Sequence, residues 1–222
     1  MNLREKSLKS GLILALFAGI TTALIAIVNA MTVDRIAASQ KANLLDSLNQ
    51  LVPVQRYNNN LLHDTLSIKD KTLLHLEHDE TAYRARKNGQ NVAVIFPVVA
   101  PDGYSGKIKL LVAIEENGQL AGVRVLTHKE TAGLGDAIEK QKSNWIDGFN
   151  FRSLANTTAQ QWHVKKDNGV FDQFTGATIT PRAVVKAVHN SLLYYQQHKN
   201  QLFAQPNDLI DDESEQLLSQ YP

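Results

Sequence analysis

No cysteine occurs in the 222 residues. That excludes disulfides, iron–sulfur ligation, thiolate zinc sites and the thioether attachment of c-type haem. Any redox role must therefore run through a group that needs no thiolate. The absence does not fix the compartment, because an oxidising one permits disulfides without requiring them. An excess of one charge is also missing: 23 basic residues against 22 acidic leave a net +1. Nothing in that balance calls for a polyanion, and nucleic acid is not expected as a partner. The 7 histidines never fall at H-x-x-x-H spacing. His75 and His78 sit three apart beside acids but lack a nearby third ligand, so no metal centre is expected. There is no G-x-S-x-G elbow, and no serine has an evident base.

What is present begins with an apolar run. Gly11–Val33 reads GLILALFAGITTALIAIVNAMTV, and no charge falls between Lys9 and Asp34. Roughly 20 such residues cross a bilayer core as a helix. Threonines 21 and 22 can bond back to that helix, and Asn29 lies near its end. A cleavable signal peptide is the competing reading, with Arg4, Lys6 and Lys9 as its basic start and Val28-Asn29-Ala30 as its cleavage site. The run exceeds the usual signal core of about 7–15 residues, which favours an uncleaved anchor. Cations are denser before the run than after it, where only Arg35 and Lys41 follow closely. The positive-inside rule then puts residues 1–10 in the cytoplasm, 11–33 across the membrane as a single pass, and the rest outside.

Beyond the anchor, residues 34–52 carry apolar side chains at helical spacing until Pro53, and 34–70 reads as a helical linker whose second half, 54–70, is polar and irregular. Strand grammar follows in 91–99, 107–116 and 119–127, with Asn117-Gly118 as a hairpin signal between the last two. Pro97 implies that the first of these is an edge or ends early. Residues 136–147 read as a helix, 161–164 and 170–174 as short strands, and the run after Pro181 as a helix with Val184, Val188, Leu192 and Tyr195 along one face. An acidic amphipathic tail spans 206–222. A hydrophobic share of 43% suffices for a core. Strands grouped centrally with helices around them predict an α+β domain over 71–205 built on an antiparallel sheet.

Three stretches invite chemistry. Asp172–Thr180 reads DQFTGATIT, dense in small hydroxyl residues just before a helix. Thr180 before Pro181 suits an N-cap followed by a first helical residue. Thr178 is then left without that task, beside glycine and alanine, near a helix end that favours phosphate. A structural turn accounts for the same residues. His128–Asp136 reads HKETAGLGD, whose Gly133 and Gly135 permit close backbone approach to a ligand, yet it is neither G-x-G-x-x-G nor a P-loop. Asp102–Gly106 is a turn whose Tyr104 either stacks on a planar ligand or caps the core.

Taken in order, the anchor, GYSGKI, HKETAGLGD and DQFTGATITP resemble the RnfG (RsxG) family, the G subunits of the Rnf (Rsx) electron-transport complexes. More distantly they are similar to the C subunit of the sodium-pumping NADH:quinone reductase. The specific part is D-x-x-[S/T]-G-A-[S/T], which Asp172, Thr175, Gly176, Ala177 and Thr178 fit throughout. The family loop usually reads E-T-P-G-L-G, and Ala132 stands here where proline is expected. The resemblance implies FMN bound covalently through a phosphoester to Thr178, with Thr175, Gly176 and Ala177 shaping the turn. It further implies that His128, Glu130, Thr131, Gly133, Leu134 and Gly135 form a loop approaching the cofactor, with Tyr104 bordering its ring. Trp145 reads as core rather than flavin stack. The implied function is electron relay in an ion-translocating oxidoreductase; the implied partners are the other membrane subunits, lipid and a flavin transferase. An anchored anion-binding sensor without redox chemistry is the alternative from physics alone.

Overall fold

The structure is a computed structural model and describes residues 3–204. The expected tail over 206–222 lies outside the described residues. The chain divides into two units, Met1–Asp46 and Ser47–Pro222.

The first unit is helical. Helix α1 spans Leu3–Leu51, so the run read as an anchor and the periodic segment after it form one helix without a break. Gly11–Val33 has a mean hydropathy of 2.5 and none of it is buried inside the protein, so it is long and apolar enough to cross a bilayer. Thr21 Oγ1 donates to the Phe17 carbonyl at 2.6 Å and Thr32 Oγ1 to that of Val28 at 2.8 Å, so these hydroxyls are satisfied within the helix. That removes their cost in hydrocarbon.

The second unit opens with the last turn of α1, where Leu48 and Leu51 are buried, as is Val52 just beyond it. Pro53 stops the helix, having no N–H to continue it. A five-stranded sheet follows: β1 (Thr65–Ile68), β2 (Glu80–Lys87), β3 (Gln90–Ala100), β4 (Ile108–Glu115) and β5 (Leu120–Thr127). The strands lie in chain order and every neighbouring pair is antiparallel. Segment 54–70, expected to be irregular linker, thus contributes an edge strand to the sheet. Helix α2 (Ile179–Leu202) packs on β3 and β4. Phe96 and Val112 face each other in register, as do Val98 and Leu110, and this face joins Val184, Val188 and Leu192 of α2 in the main core. The opposite face is sealed as well. A side chain on Gly122 would meet Leu51 at 2.9 Å, which brings the end of α1 onto β5. Two covered faces explain why β3 and β4 read as almost continuous apolar runs.

Pro97 lies inside the central strand, not at an edge or an end. It is tolerated because β2 pairs with β3 only as far as Ile95. The amide of Val99, two residues on and on the same side, donates instead to the Leu74 carbonyl at 2.9 Å. The missing N–H of Pro97 therefore faces a side that β2 has left. The Asn117-Gly118 hairpin forms as expected between β4 and β5. Gly118 takes φ 87° and its amide donates to Glu115 at 2.8 Å, closing a turn with a glycine bulge.

Other expectations fail locally. Residues 136–147 form no α-helix but two 3-10 turns, Gly135–Ile138 and Trp145–Phe149. Glu139 between them is extended, and Ser143 Oγ bonds the Ala137 carbonyl instead of prolonging a helix. Residues 161–164 and 170–174 form no strands either; they meet through the isolated bridge Val164–Phe171. That segment is held by rings: Phe149, Trp162 and Phe171 pack with centroids 4.6–6.4 Å apart. Trp145 adds edge contacts to Phe149 and Phe174.

At the far end of α2 two buried arginines project from β2. Arg84 Nε lies 2.6 Å from Asp64 Oδ1, close as an ion pair but too poorly aligned for a hydrogen bond. Arg86 Nε donates to Asp64 Oδ2 at 2.9 Å. The guanidinium of Arg84 also donates to the Ala204 carbonyl, and that of Arg86 to those of Phe203 and Ala204. One carboxylate and the negative end of α2 thus share two cations.

Candidate functional site

The antiparallel order brings three distant stretches to one end of the sheet. Lys109, near the start of β4, pairs with Thr127, the last residue of β5. The turn before β4 (residues 102–106) and the loop after β5 (128–136) are therefore neighbours. Helix α2 begins at the same end, where Lys186 Nζ lies 2.8 Å from Asp102 Oδ2.

The stretch before α2 is a turn. The Ala177 amide donates to the Phe174 carbonyl at 3.2 Å, and Gly176 sits at the third position with φ 80°. That torsion belongs to a type II turn and favours glycine. Trp145 Nε1 donates to the Asp172 carbonyl at 2.7 Å, and its ring packs on Phe174, which fixes the segment entering the turn. Trp145 thus stands in the packing and outside the cleft described below. Asp172 turns outward to Lys165 at 2.6 Å.

Helix α2 starts two residues earlier than its cap grammar implies. Thr178 occupies the cap position with φ −75° and makes no side-chain capping bond. Thr180 is the second helical residue, not the cap. It is fully buried, and its hydroxyl donates to Glu130 Oε2. No acidic residue stands in the first turn of α2, so its N-terminal N–H groups are not offset from within the helix.

The loop after β5 is tightly folded. The amides of Leu134 and Gly135 both donate to the Thr131 carbonyl at 3.1 Å. Gly133 has φ 77°, and its amide donates to Asp136 Oδ1 at 2.8 Å. Glu130 is buried, and its Oε1 accepts the Ser105 amide at 2.9 Å. Its own amide donates to His128 Nδ1 at 3.0 Å, while His128 Nε2 meets Glu139 at 2.7 Å.

These parts enclose a cleft of about 450 Å³, within the range of small-molecule sites. Tyr104, Glu130, Thr131, Leu134, Gly135, Gly176, Ala177 and Thr178 line it, so most residues singled out in the sequence converge. Thr175, His128 and Gly133 do not line it; they shape the turn and the loop from behind. Ile179 and Thr180 line it although the sequence gives no sign that they face a ligand. Tyr104, Leu134 and Ile179 are 68%, 44% and 47% exposed, an apolar lip unusual for large side chains. Among the described residues no group of histidine, aspartate and glutamate is arranged to hold a metal ion.

The comparisons fall on the same regions. Residues 103–193 match the family model of the FMN-binding domain, and residues 1–51 that of the RnfG N-terminal region. The G subunit of the ion-translocating oxidoreductase complex of Shewanella oneidensis is 46% identical over 199 residues, covering 90% of this chain and 94% of that protein. The corresponding G subunit of Vibrio cholerae El Tor is 46% identical over 199 residues, covering 90% and 95%. That of Pseudoalteromonas atlantica is 46% identical over 200 residues, covering 90% and 93%.

Proposed function

Because the chain belongs to the family of G subunits of ion-translocating oxidoreductase complexes, we propose that it is their membrane-anchored electron carrier, with FMN held as a phosphoester on Thr178. The single observation that carries the attachment is Thr178 itself: a hydroxyl in the cleft wall, at the cap position of α2, not used as a cap. A phosphoester there leaves a negative charge beside the first-turn N–H groups, worth roughly 0.3–1 kcal/mol at an exposed helix end. Tyr104, Leu134 and Ile179 offer the apolar surface a planar ring would cover.

When bound, the flavin supplies the electron-accepting and electron-releasing chemistry. The chain's own contribution is placement. Gly176 gives the turn its torsion, Gly133 and Gly135 fold the neighbouring loop, and α2 fixes the direction in which Thr178 points. A covalent tether makes cofactor retention intramolecular, which matters for a domain on the periplasmic side where lost FMN would not rebind. A threonine hydroxyl is a poor nucleophile without a base, so attachment calls for a separate flavin transferase. Gly11–Val33 would anchor the chain in the inner membrane beside the other members of the complex.

The test is a denaturing gel of the chain made in cells that express the transferase. Wild type should give a band fluorescent under ultraviolet light, and Thr178→Ala should give none. A dark wild-type band, or one that loses its flavin on dialysis before denaturation, would favour a reversible anion site instead.

A further inference from the structure

The resemblance places Glu130 in a loop that approaches the cofactor, yet both its oxygens are engaged within the protein. Oε1 accepts the Ser105 amide and Oε2 the Thr180 hydroxyl. The residue is 7% exposed, and Thr180 is fully buried. Gly135 makes room for this contact: a Cβ there would stand 2.9 Å from Thr180 Oγ1 and 3.0 Å from Glu130 Oε2. One carboxylate therefore ties the turn before β4, the loop after β5 and the second residue of α2 into one joint. Thr178 lies two residues from that joint along the chain.

We infer that Glu130 is a positioning residue for the flavin-bearing threonine, acting through the Thr180 hydroxyl and not by touching the cofactor. The inference rests on the reading of Thr178 as the attachment site. A hydrogen bond to a charged acceptor is among the stronger ones in a protein interior, and breaking it leaves the partner unpaired. Losing it releases the start of α2 from the cleft wall, and with it the direction of the Thr178 hydroxyl. Two groups that work through one bond must also be non-additive when both are removed.

The experiment uses the full chain co-expressed with the transferase. It reads covalent flavin per chain by in-gel fluorescence and the flavin's fluorescence anisotropy in detergent. Thr180→Val keeps the shape and loses the donor; Thr180→Ser keeps the donor. Loading in Thr180→Val and in Glu130→Ala should each fall about tenfold or more, with lower anisotropy in the flavin that remains. Thr180→Ser should restore loading relative to Thr180→Val, and the Glu130→Ala/Thr180→Val double variant should be no worse than the weaker single. Additive losses, or a normal Thr180→Val beside a defective Glu130→Ala, would overturn the inference by showing that Glu130 acts elsewhere. A fluorescent wild type with equally fluorescent variants overturns it alone; a dark wild type overturns the attachment reading and this inference with it. Should Glu130→Ala not accumulate, equal loading in Thr180→Val and Thr180→Ser still refutes it.

Discussion

Gly135 and Gly176 both line the cleft, for different physical reasons. Gly135 has no positive torsion; it is small because a methyl group would strike the Glu130–Thr180 contact. Gly176 has open space, its nearest neighbour to an added Cβ being Leu134 at 3.6 Å, but its φ is 80°. Gly135→Ala should therefore act by overpacking, lowering stability by about 1–3 kcal/mol. Gly176→Ala should cost about 1–2 kcal/mol through backbone strain. Thermal melts of the two variants check the sizes, and Gly135→Ala should also reduce flavin loading through the displaced hydroxyl. The two threonines of this region divide in the same way. In the sequence Thr180 reads as a cap because capping grammar is local, a hydroxyl before a proline. Its actual acceptor, Glu130, stands 50 residues away, and only the folded chain brings the two together. Thr178 is legible because its motif is continuous. Ile179 is not, since nothing in a helical apolar residue announces that it faces a cleft.

Helix α2 is tied at its entry by two ion pairs, Lys186 to Asp102 and Arg182 to Asp167. The Lys186 ammonium, donating a hydrogen bond against slight burial, holds the Asp102 carboxyl below its ordinary range. The Arg182 guanidinium does the same for Asp167 through two hydrogen bonds. A carboxyl whose folded pKa is depressed adds stability that is complete above its unfolded value, near 3.9 for aspartate. That stability is lost as pH falls through the lower folded value. The melting temperature should thus decline below about pH 4, and the Asp102→Asn/Asp167→Asn double variant should decline less over that window. Parallel curves would mean that the pairs are too well solvated to contribute, a common fate at a surface. Elements with strong periodicity are legible: β3, β4, β5 and α2 follow from alternation, the Asn-Gly turn and a helical stripe. Strand β1, with four residues, carries too little pattern. The 3-10 turns of 135–149 look helical in sequence because their apolar residues fall at similar spacing, while Ser143 and the extended Glu139 interrupt the hydrogen bonding.

At the scale of the molecule, an apolar helix long enough to cross a bilayer and a region matching the FMN-binding domain are both legible because each rests on a long or continuous signal. The match of residues 1–51 to the RnfG N-terminal region separates the two electron-transport families that the motifs alone leave close. The orientation has a direct test, which the lack of native cysteine makes unambiguous. Gln160 is exposed, and a Gln160→Cys chain in spheroplasts should react with a membrane-impermeant maleimide without lysis. Labelling only after lysis would reverse the topology.

The arginine pair on β2 has a consequence for how far the chain can be shortened. Besides Asp64, Thr65 and Asn91, Arg84 and Arg86 take acceptors from Phe203 and Ala204, beyond the last residue of α2. Compared with a chain ending at Ala204, one ending at Gln201 would lose those carbonyls together with the buried Leu202 and Phe203, leaving the two cations with Asp64, the Thr65 carbonyl and Asn91. A hydrogen bond to a charged group contributes about 1.5–3 kcal/mol, so losing several at once is a large share of what holds any domain of this size together. Nested deletions should therefore meet a cliff there, visible as sudden protease sensitivity, although neither carbonyl belongs to any helix, strand or motif that a reader of the sequence would think to spare.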